Sequence, residues 1–397
     1  MIPFSRMIKY GNVVDPISTD NIKRVDANSS GGMGILYNNG DLWVRGTNNF
    51  GCLGTGNNSP VTSWTLVRSG VDDFCLGVTG MLVKSSDGKL LYNGRDSILN
   101  NNTTFLQFAD YTAQFTPSGF SVHNIKQMQV GQYSVLILMN NGVLLAFGRN
   151  NSGEFGDGSS SSTSGLAIRQ VAANVDKIQL YNLNSGYLSD GKFYRAGYNA
   201  NYALGNGTTS DIRTFQVYNP PSGESAIIDF NITNYGTRLL TLSSTSGYNM
   251  YQCGINTSYH LGVNSTTATF VIPTFSTMQS ILPSSNIESH ALNIKGQVSL
   301  GDLILPKQNP NSYFWVSGDN RNGAFGTGDT ANISALSMIG GKGLPNNIDY
   351  SSEYVHVVSC SFNSNFILMN NTIYGCGVNS GFGLNSTTFV SLGTYPT

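Results

Sequence analysis

The strongest constraint on the fold of this chain is a glycine that returns seven times, each time after a short apolar run. Residues 142–158 read GVLLAFGRNNSGEFGDG, and residues 40–56 read GDLWVRGTNNFGCLGTG. A repeat of about 50 to 60 residues made of short apolar runs is typical of β-propellers and solenoids, because one unit cannot bury its apolar face without neighbours. The seven anchoring glycines are Gly46, Gly94, Gly148, Gly197, Gly254, Gly318 and Gly377.

Each copy of the repeat has the pattern of a β-hairpin. Two runs rich in Val, Ile, Leu, Tyr and Phe flank a polar dipeptide such as Asn141-Gly142 or Asp190-Gly191. Asn-Gly and Asp-Gly favour the type I′ turn, in which both central residues have positive φ. The runs are short, which favours strands over helices. The sequence therefore predicts an all-β protein in which neighbouring hairpin units stack on one another.

The pattern G-x-L-x-x-x-G-x-N-x-x-G-x-L/F-G-x-G resembles the repeat of the regulator-of-chromosome-condensation family. The resemblance covers about residues 21–397 and is clearest around Gly46, Gly148 and Gly318. It implies a single seven-bladed β-propeller formed by residues 21–397, with residues 1–20 as a separate N-terminal arm. We expect the C-terminal strand, around Phe389–Leu392, to close the ring on the first blade, since an unpaired strand edge invites aggregation.

Composition and charge argue against nucleic-acid and membrane partners. The net charge is −1 and no run of Lys or Arg occurs, whereas binding to phosphates needs several cations on one surface. No apolar run reaches the roughly 18 residues of a membrane helix, so we expect no membrane insertion. The arginines Arg45, Arg95, Arg149 and Arg195 lie at or near repeated positions. They either form a ring of cations on one face or are solvated edge residues.

No catalytic, metal or cofactor motif is found in the sequence. The four histidines are isolated, and the five cysteines show no CxxC spacing. We therefore expect no catalytic residue, no metal ligand, no cofactor and no enzymatic activity. The cysteines are interpreted as small buried side chains.

Two groups of candidate contact residues come from departures from the repeat. Residues 296–312 replace the two-residue hairpin turn of the sixth copy, and long loops on a rigid scaffold often bind. Tyrosines also stand in turns that elsewhere contain small residues, and exposed tyrosine is typical of recognition surfaces, including those that stack on sugars. The apolar candidates are Leu300, Leu303, Ile304 and Leu305, and the tyrosines are Tyr198, Tyr202 and Tyr259.

The N-terminal arm provides a third group. Prolines interrupt it at positions 3 and 16, and its apolar side chains give it enough surface to dock on another protein. In a virus particle, the arm would bind other virion or tail proteins, while the propeller rim would face a host-surface protein or glycan. The arm's candidate contact residues are Phe4, Met7, Ile8 and Tyr10.

Three functional classes remain open on the sequence alone. Low charge, many Asn, Ser, Thr, Gly and Tyr residues and an opening Met-Ile-Pro-Phe favour a virion component, such as a bacteriophage tail or receptor-binding protein. The resemblance also implies a free protein-binding propeller, secreted or cytoplasmic, such as an enzyme inhibitor. A third class is an exchange factor for a small GTPase or a chromatin-binding protein, which the missing basic tail disfavours.

Overall fold

The computed structural model describes most of the chain from residue 21 onward. The described residues are 21–28, 30–95, 104–112, 120–233, 235–244, 248–256, 259, 261–262, 271–277, 301–304, 311, 313–348, 355–359 and 363–396. Within them, seven antiparallel sheets follow one another along the chain, and the helical segments are short 3-10 turns such as Asn49–Gly51. The prediction of an all-β, seven-bladed propeller is confirmed.

Each sheet is one blade, built from consecutive strands. In the part of the chain described here, the sixth blade has three strands and each of the other six blades has four. Their bounds are β1 Ile22–Ala27, β2 Gly32–Tyr37, β3 Leu42–Gly46 and β4 Val61–Arg68; β5 Val71–Leu76, β6 Gly80–Ser85, β7 Leu90–Arg95 and β8 Thr104–Asp110; β9 Ile125–Val130, β10 Ser134–Met139, β11 Leu144–Asn150 and β12 Ser161–Ala172; β13 Lys177–Tyr181, β14 Asn184–Ser189, β15 Lys192–Gly197 and β16 Ile212–Tyr218; β17 Glu224–Ile232, β18 Gly236–Ser243, β19 Tyr248–Ile255 and β20 Val271–Thr277; β21 Gly301–Ile304, β22 Phe314–Gly318 and β23 Ile333–Gly340; β24 His356–Ser359, β25 Ser364–Met369, β26 Thr372–Asn379 and β27 Leu384–Thr394.

The up-and-down order of strands gives the propeller two chemically different ends. Connections between first and second strands, such as 28–31, lie at the same end as connections between third and fourth strands, such as 47–60. We call this end the loop face. The tight turns between second and third strands, such as 38–41, lie at the opposite end, the hairpin face.

The anchoring glycines are required by a close approach of two main-chain segments. All seven have positive φ, between 94° at Gly377 and 125° at Gly254. A Cβ on Gly197 would lie 2.1 Å from the main-chain oxygen of Leu183 in the connection between the first and second strands. L-residues other than glycine avoid this φ region, and the space is also taken. The repeat therefore requires glycine at this position because the third strand ends against a loop-face connection.

The Asn of the repeat holds the loop that joins one blade to the next. Asn48 Oδ1 accepts a hydrogen bond from the Leu53 main-chain N–H at 2.8 Å, and Asn48 Nδ2 donates to the Asn57 oxygen at 2.8 Å. Leu53 is then buried in the core shared with the second blade. The same bond, from a main-chain N–H to the Asn five residues earlier, recurs at Asn150 and Phe155, Asn199 and Leu204, Asn256 and Leu261, and Asn320 and Phe325.

The seventh blade closes the ring on the first blade through side chains. Phe382 is buried with Met33 and Ile35 of the first blade, and its ring meets the Trp64 ring edge-on at 6.2 Å. The Tyr37 hydroxyl donates a hydrogen bond to the main-chain oxygen of Pro396. The C-terminus therefore seals the boundary between the last and first repeats by packing.

The expected strand pairing at this closure is wrong. β27 pairs with β26 of its own blade, with Tyr374 opposite Ser391 and Gly375 opposite Val390. Phe389 packs towards the sixth blade, where its ring lies 5.9 Å from that of Phe314. The first blade takes all four of its strands from residues 22–68, and β27 is instead the fourth strand of the seventh blade.

The structure of the sixth blade differs from the predicted insertion at residues 296–312. Gly301–Ile304 forms the second strand of this blade, and Gly301 lies opposite Gly318 as Gly32 lies opposite Gly46. Interpreting all of residues 296–312 as one turn is therefore wrong. The enlarged connection is 305–313, since a strand must face the third strand of the blade. Leu303 and Ile304 lie in β21, while Leu300 and Leu305 lie outside the described residues.

Candidate functional site: the loop face and the central channel

The predicted tyrosines all lie on the loop face. Tyr198, Tyr202 and Tyr259 are half-buried and stand in connections between third and fourth strands of the fourth and fifth blades. The enlarged connection of the sixth blade joins a second to a third strand, so it belongs to the hairpin face. The two groups of candidates therefore lie on different faces, a point that the sequence left open. The arm residues Phe4, Met7, Ile8 and Tyr10 lie outside the described residues.

Two of these tyrosines have an unusual main-chain conformation. Tyr202 has φ of 54° and Tyr259 has φ of 66°, in the left-handed region that bulky residues avoid. Each lies three residues after the repeat Asn. The first, third and sixth blades have glycine there, namely Gly51, Gly153 and Gly323, with φ of 68°, 81° and 69°.

The turn itself is the same in all these blades. The Tyr202 N–H donates to the Asn199 oxygen at 3.0 Å, just as the Gly51 N–H donates to the Asn48 oxygen at 3.0 Å. A glycine at position 202 would thus satisfy the fold with less steric strain. The tyrosine ring is an addition to the loop face that the turn does not require.

Arginines on the loop face stack on aromatic rings. The guanidinium carbon of Arg45 lies 4.7 Å from the centre of the Phe382 ring, and that of Arg149 lies 4.9 Å from the Tyr133 ring. Arg95 stacks on the exposed Phe50 at 5.4 Å. Cation–π contacts of this kind contribute about 0.5–1 kcal/mol each at exposed sites. The sequence drew attention to these arginines but gave no indication of their ring partners, which come from other loops or blades.

A cavity of about 680 Å³ occupies the centre of the ring, bounded mainly by the innermost strands β1, β5, β9, β13 and β17. Many charged side chains line it, and several form ion pairs across blade boundaries. Arg24 Nη1 lies 2.9 Å from Asp73 Oδ1, and Lys177 pairs with Asp229. Burial by itself lowers the pKa of Arg24, but the carboxylates of Asp26 and Asp73 outweigh this, so its pKa is raised. Arg24 is therefore charged throughout the physiological range.

Polar side chains in the channel also cover the inner strand edges. Gln179 Oε1 accepts a hydrogen bond from the Ile232 N–H of the next blade at 2.8 Å. Gln127 exchanges two hydrogen bonds with the main chain of Ile178, at 2.8 Å and 3.1 Å. An unpaired strand edge inside a ring needs such partners, because its N–H and C=O groups are otherwise unsatisfied. The channel residues thus have a structural task that accounts for their polarity.

The described residues contain no group of three or more His, Cys, Asp or Glu side chains placed to hold a metal ion. Cys52, Cys75, Cys253 and Cys376 are free and buried, as predicted; Cys360 lies outside the described residues. Burial raises the pKa of Cys52 to about 11 and that of Cys253 to about 12, so neither is a thiolate at neutral pH. Helices long and apolar enough to span a membrane are absent from the described part of the chain.

No protein-family model matches the sequence. Solved structures do share the fold. Human WBSCR16 superimposes with a TM-score of 0.65 at 16% identity, over 90% of this chain and 94% of that chain. Yeast RCC1 (Prp20), in its complex with Kap60, gives 0.52 at 13% identity, over 94% of this chain and 74% of that chain.

In fold, this chain is similar to RCC1-type propellers. A second structure of Prp20p from Saccharomyces cerevisiae agrees, with a TM-score of 0.51 at 13% identity over 94% of this chain and 76% of that one. At such identities the likeness concerns the fold alone, and the function has to be argued from the surface of this chain.

Proposed function

We propose that this RCC1-type propeller is a non-catalytic protein-binding module and that it contacts its partner through the loop face. The observation that carries the proposal is the left-handed conformation of Tyr202 and Tyr259 at a turn position that is glycine in three other blades. A non-glycine residue in this region costs about 1–2 kcal/mol. The turn does not require this cost, whereas a recognition surface gains two aromatic rings.

The composition of the loop face agrees with this assignment. Tyr and Arg are the residues most enriched at the energetic centres of protein interfaces. Phe50 is 39% exposed on the same face, and Arg95 lies over its ring. The sequence alternatives of an enzyme inhibitor and an exchange factor are both protein-binding propellers and fall within this proposal.

The similar structures support protein partners in general. The yeast RCC1 structure has Kap60 bound to it, and the second Prp20p structure was studied for its binding properties to Gsp1p and histones. These partners belong to those proteins. Gsp1p nevertheless provides a defined test: faster nucleotide release from Gsp1p in the presence of this chain would favour the exchange-factor form of the proposal.

The decisive experiment compares two variants that relieve the same main-chain strain on opposite faces. The test variant is Tyr202→Gly with Tyr259→Gly on the loop face. The matched control is Asp190→Gly with Asn371→Gly, which replaces two positive-φ residues in turns of the hairpin face. Each purified protein is used as bait, and captured proteins are quantified by cross-linking and mass spectrometry.

We expect the tyrosine variant to capture at least about tenfold less partner than the wild type, without a fall in thermal stability. The hairpin-face control should capture as wild type does. Equal capture by both variants would refute the loop face as the binding surface. Mass spectrometry of purified virus particles distinguishes a virion component from a free binding protein, since a virion component must be present in the particles in stoichiometric amount.

A further inference from the structure

Three arginines form an arc along one sector of the loop face. Arg45, Arg95 and Arg149 lie where the third strands of the first, second and third blades end, and all three are half-buried. The Arg95 N–H donates to the Thr79 oxygen and the Arg149 N–H donates to the Tyr133 oxygen, both in connections of the loop face. The strands therefore place these side chains beside the loops in three consecutive blades.

The aromatic rings fix the planes of the three guanidinium groups. Phe382 under Arg45 comes from the seventh blade, and Phe50 under Arg95 comes from the first blade, so two of the stacks cross blade boundaries. A stacked guanidinium is oriented before a ligand arrives, which lowers the entropy cost of bidentate contact with a carboxylate. Such a group favours binding more than a flexible lysine does.

The fourth arginine of the predicted ring behaves differently. Arg195 is only 4% exposed, and its guanidinium lies 5.4 Å from the Tyr218 ring of its own blade. Burial lowers the pKa of Arg195 and also that of Arg45, so what distinguishes Arg195 is its nearly complete burial. The cations thus form an arc over three blades rather than a ring around the propeller.

The loops beside the arc are poor in negative charge. Connections 28–31, 47–60, 77–79 and 131–133 contain no Asp or Glu, whereas connection 96–103, which lies outside the described residues, contains Asp96. In the neighbouring loop of the third blade, the Glu154 side chain is buried and Asp157 is paired with Arg169 at 3.0 Å. Counted against Asp96, the three arginines still give this sector an excess of positive charge on a chain whose net charge is −1.

We infer that the arc of Arg45, Arg95 and Arg149 binds an acidic peptide segment of the protein partner. The inference deepens the proposed function and rests on it. Aromatic rings and oriented guanidinium groups together suit carboxylate side chains separated by apolar residues. Binding to nucleic-acid backbone usually recruits more cations than three, and the rest of the chain adds no basic run.

The test measures binding of a fluorescein-labelled oligoglutamate peptide of about twelve residues by fluorescence anisotropy. Removing three charges with Arg45→Gln, Arg95→Gln and Arg149→Gln together should weaken binding at least about tenfold, because charged interfacial contacts set affinity here. Affinity of the wild type should also fall steeply between about 50 mM and 500 mM salt. The matched control, Lys23→Gln with Lys89→Gln and Lys192→Gln, removes the same charge near the hairpin face and should leave binding within about twofold.

A single variant guards against loss of folding. Arg149→Gln leaves both interblade stacks intact, because Tyr133 belongs to the same blade as Arg149. This substitution should weaken peptide binding by about threefold and leave thermal unfolding unchanged. Equal peptide affinity in wild type and the triple variant would overturn the inference. Tighter, arginine-dependent binding of a single-stranded DNA oligonucleotide would overturn it too. If the tyrosine variant captures less partner while the triple arginine variant binds the peptide as the wild type does, only this inference fails and the proposed function stands.

Discussion

Ser185 of the fourth blade holds Glu154 of the third blade, with its hydroxyl donating to the Glu154 main-chain oxygen over 2.5 Å. This contact anchors the main chain of Glu154 at the boundary between the two blades. Glu154 Oε2 accepts the Ser152 N–H at 2.9 Å, but Oε1 is buried without a hydrogen-bond partner among the described residues. Other blades have small residues at this position, for example Cys52 and Ala203. Burial raises the pKa of Glu154 to about 7.

Glu154 should therefore make the protein less stable as pH rises. Its folded pKa of about 7 exceeds the ordinary value of 4.5 for a glutamate, so its contribution is fully present below about pH 4.5 and is lost as pH rises through 7. Relative to Glu154→Gln, the wild type should lose about 3 kcal/mol of unfolding free energy between pH 4.5 and pH 8. Chemical denaturation at several pH values measures this difference.

A second variant checks that the carboxylate causes the effect. Glu154→Ala restores a small side chain of the kind found in other blades, and its stability should follow the same pH curve as Glu154→Gln. A constant difference between wild type and both variants from pH 4.5 to 8 would show that Glu154 does not titrate in this range.

The anchoring glycines should tolerate no side chain. Gly197→Ala places a Cβ 2.1 Å from the Leu183 oxygen, and we expect a loss of at least about 3 kcal/mol of unfolding free energy. Gly223→Ala is the control, since Gly223 also has positive φ but nothing lies within 4 Å of its Cβ position. This control should cost about 1–2 kcal/mol, from the backbone conformation alone. Urea unfolding of both variants gives the comparison, and equal losses would mean that the clash is relieved.

The polar lining of the channel should contribute to stability through single main-chain partners. Gln179→Ala leaves the buried Ile232 N–H without its acceptor and should cost about 1–3 kcal/mol. Gln129→Ala is the matched control, because Gln129 lines the same cavity but makes no such bond in the described structure. Its loss should stay below about 0.5 kcal/mol. Similar losses for both glutamines would argue against the idea that these side chains serve the strand edges.

Local features of the fold could be predicted from the sequence because they depend on residues near one another in the chain. The link from Asn48 to Leu53 spans five residues, and Gly46 approaches Gly31, fifteen residues earlier in the same blade. The glycine recurs in all seven blades and the Asn link in five, which leaves a readable pattern. The number of blades, the turns and the class of fold follow from that pattern.

The tertiary structure decided the strand pairing in the last two blades and which side chains are covered. The sequence did not predict the pairing of β27 with β26, the strand at 301–304 or the burial of Arg195. The left-handed turn of Tyr202 was also hidden, although the glycine at the same position in other copies was a usable signal. Periodicity fixes which residues alternate along a strand, whereas the neighbouring blade determines which side chains are covered, stacked or left on the surface.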